Sequence, residues 1–92
     1  MEAKEAVAIA KAYALELYEG EPVEPPELEE IWYESSKKNW LVALGIRRVA
    51  RLGSAAEKLG LAPAPDHKIV RVSVSERRAL SMRDRLHETI TR

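Results

Sequence analysis

The chain has 92 residues, no cysteine and no phenylalanine, and its 15 basic and 15 acidic side chains leave a formal net charge of zero. That length fits one domain with one modest core. The lack of thiols excludes disulfides, thiolate catalysis and cysteine-ligated zinc. It is compatible with a reducing cytoplasm.

Neutrality hides a division along the chain. Residues 1–34 hold ten Glu against two Lys, whereas residues 35–92 hold thirteen Lys and Arg against five Asp and Glu. The two halves either form an acidic and a basic face or simply attract one another inside a compact domain. The opening Met1-Glu2-Ala3-Lys4-Glu5 mixes both signs and is unlike the basic-then-apolar start of a secretory signal. No stretch reaches the ~20 apolar residues of a membrane span. A cytoplasmic protein without membrane contact is expected.

Residues 2–19 read as a helix. Ala3, Ala6, Val7, Ala10, Tyr13, Ala14, Leu17 and Tyr18 recur at helical spacing and line one face. Gly20 suits a left-handed cap, and Pro22, Pro25 and Pro26 prevent continuation. The small alanines let the helix backbone lie close to a sheet. Residues 27–34 read as a strand on the strength of Ile31, Trp32 and Tyr33, followed by a polar loop at Ser35–Asn39. Residues 40–48 read as the strongest strand, with Trp40, Val42, Leu44 and Ile46 on one face and Leu41, Ala43, Gly45 and Arg47 on the other.

Residues 49–66 interrupt the sheet. Ser54-Ala55-Ala56-Glu57 fits a capping box, so 54–59 reads as a short helical insert, stopped at Gly60 and followed by a stiff Ala-Pro connector. Such a segment either serves a function or acts as a lid seated by Leu59 and Leu61. Residues 68–75 alternate Val70, Val72 and Val74 against Arg71 and Ser73. Residues 79–85 alternate again, placing Leu80 and Met82 inward and Ser81 and Arg83 outward. The intervening Ser75-Glu76-Arg77-Arg78 lacks the Gly or Asn of a tight two-residue turn. The tail, 86–92, fits either a short helix or a frayed end. The expected fold is a single α+β domain, an N-terminal helix on a three- or four-stranded antiparallel sheet, in the order α-β-β-(short helix)-β-β.

Several of these features are shared with a known group. The Ala-rich opening helix with Ala6-Val7 and Ala10 leads to an acidic strand at Glu29-Glu30. Asn39-Trp40-Leu41-Val42 begins the second strand, Lys68-Ile69-Val70-Arg71-Val72 forms a late one, and Ser81-Met82-Arg83 lies in the last hairpin. Over roughly residues 3–85 the chain resembles the small PepSY-like, half-cystatin domains. It departs from them in the 49–66 insertion and in a final turn without their frequent Asp…Gly. The resemblance implies a helix cradled by an antiparallel sheet and a regulatory, inhibitory or protein-interaction role.

No catalytic, cofactor or metal site emerges from the residues. His67 and His87 lack the paired helical spacing of zinc ligands and read as exposed loop histidines. Glu29 and Glu30 are consecutive in a strand, so they point to opposite faces unless a bulge intervenes. Gly45, Gly53 and Gly60 match no phosphate-loop spacing. A non-enzymatic protein is expected.

Two binding classes remain. Arg47, Arg71, Arg83 and Arg85 would project from the sheet face opposite the helix, where they could neutralise nucleic-acid phosphates. Single-strand binding also calls for exposed stacking aromatics, and Trp40 falls on the helix side, leaving Trp32 or Tyr33 unassigned. A protein interface fits better: Trp32, Leu41, Ala43 and Ile69 rimmed by Arg47, Arg71 and Arg83. The alternative is that the helix, the insert and the tail cover both faces. A homodimer is the simplest partner because one self-complementary patch suffices.

Overall fold

The computed structural model describes residues 1–49 and 64–85. One helix, α1 (Ala3–Leu17), packs on a sheet of four antiparallel strands: β1 (Glu27–Glu34), β2 (Asn39–Ile46), β3 (Asp66–Ser73) and β4 (Arg78–Asp84). The strands lie in chain order, β1-β2-β3-β4, so each pairs with its sequence neighbour. The α+β class, with the helix preceding the strands, is therefore the observed architecture. The proposed 54–59 insert, the 86–92 tail and His87 lie outside the described residues.

The helix meets the sheet through its smallest residues. Ala6, Ala10 and Ala14 recur every four positions and are fully buried, with Tyr18 continuing the row. A methyl side chain keeps the helix backbone near the sheet, and alanine adds the best helix propensity. Facing them are Val42, Leu44 and Ile46 of β2, Val70 and Val72 of β3, and Ala79 of β4. β-Branched residues supply much of that strand surface, as a half-buried pleated face favours. Ile31, Trp40 and Met82 close the margins of this core. Tyr33 stacks at a tilt on Trp40, with ring centroids 5.1 Å apart, which settles its side: Tyr33 belongs to the helix face and Trp32 to the other.

α1 ends where its sequence stops it. The Tyr18 N–H donates to Ala14 O, and Gly20 takes a φ of +92°, a conformation open to glycine at little cost. The proline-rich segment then runs beside the end of β2. Val49 N–H donates to Pro22 O at 2.8 Å and Glu24 N–H to Arg47 O at 2.8 Å, around a bridge of Val23 to Arg48. This pairing draws the chain away from β3 after Ile46, so β2 stops two residues before the expected Arg48. β3 correspondingly starts at Asp66, opposite Ile46.

Both described hairpins use four-residue loops, Ser35–Lys38 and Val74–Arg77, closed by the pairs Glu34–Asn39 and Ser73–Arg78. Each loop's last residue is left-handed: Lys38 and Arg77 both have φ of +54°. A four-residue loop explains how the final turn forms without a Gly or Asn in a two-residue type I′ or II′ geometry.

One expectation fails in β4. Leu80 was expected inward, but it is exposed and Ala79 takes the buried place. The cause is a bulge: β4 advances from Ser81 to Ala79 while β3 advances only from Arg71 to Val72. The extra residue switches the alternation and leaves Leu80 out of the core.

Candidate interaction face

The sheet face opposite α1 is built in rows by the strand register. Trp32, Leu41, Arg71 and Ser81 stand side by side across the four strands, and Glu30, Ala43, Ile69 and Arg83 form the next row. Leu41, Ala43 and Ile69 are buried and form a second, smaller apolar cluster, with Trp32 packed against it. Trp32, Leu41 and Ile69 also line a groove of about 290 Å³ together with Glu34, Arg71, Ser81 and Arg83. Six of the seven residues expected on this face thus come together: Trp32, Leu41, Ala43, Ile69, Arg71 and Arg83. Arg47 is not among the residues lining the groove. It follows β2, and its carbonyl is engaged by Glu24.

Sequence reasoning assigned the arginines to this face but not the carboxylates that meet them. Arg71 Nη1 donates to Glu34 Oε1 at 2.5 Å. Arg85 donates to Glu30, and its other terminal nitrogen lies 3.8 Å from Glu29 Oε1. The Arg85 guanidinium also lies over the Trp32 ring, 6.0 Å from its centroid. His67 Nδ1 is 2.7 Å from Glu29 Oε2, so this histidine is part of β3 with a partner, not a loop residue.

A second bulge makes this cluster. From Leu28 to Glu30, β1 advances two residues while β2 advances one, from Leu44 to Ala43. Glu29 is the extra residue, and the consecutive carboxylates of Glu29 and Glu30 consequently share one face. Arg85 sits between them as a common cation. A solitary glycine inside an apolar strand was the available signal, since it marks a bulge or a close approach. Gly45 is that residue: a Cβ on it would stand 2.7 Å from Glu29 Oε2.

The charged residues of the face divide by strand of origin. Glu27, Glu29, Glu30 and Glu34 lie on β1, whereas His67, Arg71, Arg83 and Arg85 come from β3, β4 and the residue after β4. Arg71 and Arg85 reach across β2 to the β1 carboxylates, so most of the two signs are paired within the face. Arg83 is exposed, and among the described residues it makes no ion pair or side-chain hydrogen bond.

A separate knot ties three elements at the C-terminal end of α1. The Tyr18 hydroxyl donates to Asp66 Oδ2 at 2.6 Å, and Arg48 Nη1 donates to the same oxygen at 2.9 Å. Arg48 also pairs with Glu21 at 3.1 Å and lies over the Tyr18 ring. Burial, and then the Asp66 hydrogen bond, push the Tyr18 phenol up to about 12. The Tyr18 hydrogen bond, aided by Arg48, holds the Asp66 carboxyl below the usual carboxylate range. A raised phenol and a lowered carboxyl both keep their resting forms at neutral pH. This is the signature of a structural tie more than of acid–base chemistry.

Among the described residues, no three His, Asp or Glu side chains form a group able to hold a metal ion. Among them, too, no helix is long and apolar enough to cross a membrane. No protein-family model matches the chain, and no curated protein or solved structure matches it either.

Proposed function

We propose that this is a non-enzymatic, cytoplasmic protein-interaction module of PepSY-like outline that associates with a second copy of itself through the sheet face opposite α1. The observation that carries the reading is the groove on the side of the sheet that the helix does not occupy, where Trp32 and the exposed Arg83 border the buried cluster of Leu41, Ala43 and Ile69. An apolar centre with a polar rim is the anatomy of a protein interface. The exposed Arg83 and the part-exposed Trp32 are what that face leaves for a second copy to meet, and one self-complementary patch suffices for a homodimer.

Size bounds the interface. Four strands spaced ~4.8 Å apart and about seven residues long present roughly 450 Å² per copy, at the low end of specific interfaces, where weak or transient association is the rule.

The competing reading is nucleic-acid binding by the same arginines. Arg71 and Arg85 are already bound to Glu34, Glu30 and Glu29, so much of the basic stripe is neutralised in place. Four glutamates on the same strand would also repel a phosphate backbone.

Sedimentation velocity from low micromolar to several hundred micromolar protein, paired with a titration of labelled single-stranded oligonucleotide at low salt, decides between them. A concentration-dependent monomer–dimer shift without oligonucleotide binding is expected. A monomer at every concentration sinks the self-association reading, and steeply salt-dependent oligonucleotide binding replaces it with the competitor.

A further inference from the structure

β4 is an outer strand of the sheet, and among the described strands it pairs with β3 alone. The Arg85 N–H donates to His67 O at 2.8 Å, toward β3. Alternation along an antiparallel strand then turns the N–H and C=O of Arg83 toward β3 and those of Met82 and Asp84 outward. Among the described residues, nothing bonds to these outward groups.

The two faces beside this open edge differ in character. On the helix side, a groove of about 390 Å³ lies between α1 and the start of β4, with Ile9, Ala12 and Tyr13 on one wall and Arg78 and Ala79 on the other. α1 runs in the same direction as β4. Glu5, in the first turn of α1, pairs with Arg77 at 3.1 Å, and Tyr18, at its end, reaches Asp66 at the start of β3, where β4 finishes. On the opposite face stands Arg83, exposed and bonded to no described side chain. Arg77, Arg78 and Arg85 each already hold a carboxylate of this chain, so Arg83 is the cation that the edge leaves open.

We propose that this edge receives a short extended segment of a partner protein, one that alternates apolar with acidic side chains and joins the sheet beside β4. In strand addition, main-chain hydrogen bonds give affinity and alternate side chains give specificity. Successive side chains of the added strand point to opposite faces. Those on the helix side enter the groove, where Ile9, Ala12, Tyr13 and Ala79 favour an apolar group. Those on the other side stand beside Arg83, roughly 5 Å away as cross-strand neighbours, where a carboxylate completes it. A second β4 fits this edge poorly, because the bulge at Leu80 and the surrounding arginines oppose edge-to-edge pairing of identical strands. The inference goes beyond self-association, which uses the sheet face and not its edge.

The probe is a capped seven-residue peptide of alternating valine and glutamate, titrated at low salt into the isotope-labelled full chain. The amide resonances of Met82 and Asp84 should move and saturate, while those of Leu41 and Val42 hold. N-methylation separates backbone pairing from charge attraction, because only alternate peptide N–H groups can face β4. One peptide methylated on its valines and another on its glutamates should therefore differ about tenfold in affinity. Arg83→Ala removes the open cation, and Ala12→Leu fills the groove from an exposed helix position. Each should weaken binding severalfold with unchanged circular dichroism.

Equal binding of the two methylated peptides overturns the proposal, and so does equal binding of a valine–lysine peptide. Resonances that fail to move at millimolar peptide overturn it as well. If a single-stranded oligonucleotide moves the Met82 and Asp84 amides and the peptide does not, a polyanion replaces the proposed partner. None of these outcomes bears on the monomer–dimer shift, which sedimentation reads separately.

Discussion

Glu29 Oε2 lies 2.7 Å from the point where a Cβ on Gly45 would stand, and the same oxygen lies 2.7 Å from His67 Nδ1. The absence of a side chain at Gly45 thus makes room for a carboxylate–imidazole pair between β1 and β3, reaching across β2. Gly45→Ala adds a methyl group that the flexible end of Glu29 must vacate. Replacing a strand glycine recovers about 0.5–1 kcal/mol of backbone entropy, while an exposed ion pair contributes about 0.2–1 kcal/mol. Stability should therefore change by less than about 1 kcal/mol, by the same two terms. The expected signature is local: NMR resonances of the His67 ring and the Glu29 side chain move, while those of Val42 and Val70 hold. Unmoved His67 resonances would show that Gly45 has no part in the pairing.

Ala10 sits at the centre of the helix–sheet contact and is fully buried. Ala10→Leu forces three more carbons between α1 and the Val42–Val70 surface. Overpacking of this kind typically costs 1–3 kcal/mol, and urea denaturation should read a loss of about that size. Ala12→Leu, at an exposed helix position, serves as the control and should be nearly neutral.

Lys38 holds a left-handed backbone with φ of +54° in the first hairpin loop. A non-glycine residue there carries roughly 1 kcal/mol of strain. Lys38→Gly removes that strain but gives the unfolded chain more freedom, and the net gain should be a few tenths to about 1 kcal/mol. A thermal midpoint that rises by a few degrees is the expected result. A fall would mean that the lysine side chain makes a contribution exceeding its backbone strain.

The Tyr18–Asp66 bond contributes to both ends of the pH–stability profile. Asp66 has a depressed folded-state pKa, so its contribution is present above the ordinary carboxylate value and is lost as pH falls through the folded one. Tyr18 has a raised one, so its contribution is complete below 10.0 and is lost as pH rises from there toward about 12. Tyr18→Phe deletes the hydrogen bond and should lower neutral-pH stability by about 1 kcal/mol. It should also flatten the decline above pH 10.0 and shrink the acid-side decline, because Arg48 alone then holds Asp66. Urea midpoints measured across the pH range report both limbs, and an alkaline limb identical to the parent's would rule out Tyr18 as its source.

How much of this was legible beforehand depends on whether a feature is periodic or paired. The alanine row of α1 and the alternation of Trp40, Val42, Leu44 and Ile46 are local repeats, and hydrophobic burial turns each directly into a face. They were enough to define a helix on an antiparallel sheet and to collect Leu41, Ala43, Ile69, Arg71 and Arg83 on its far side. Bulges are not periodic. An extra residue at Glu29 and another at Leu80 depend on how a strand meets its neighbour, so simple alternation assigned Leu80 to the core and separated Glu29 from Glu30.

The charge division visible along the chain became something more specific in space. Sequence counts gave an acidic first third and a basic remainder, with two readings left open. The antiparallel register set the glutamates on an outer strand and let Arg71 and Arg85 reach across β2 to pair with them. Composition determines that opposite charges exist. Only the pairing of β1 with β2 and of β3 with β4 decides which of them meet, because a hydrogen-bonded ladder fixes each side chain's row and face at once.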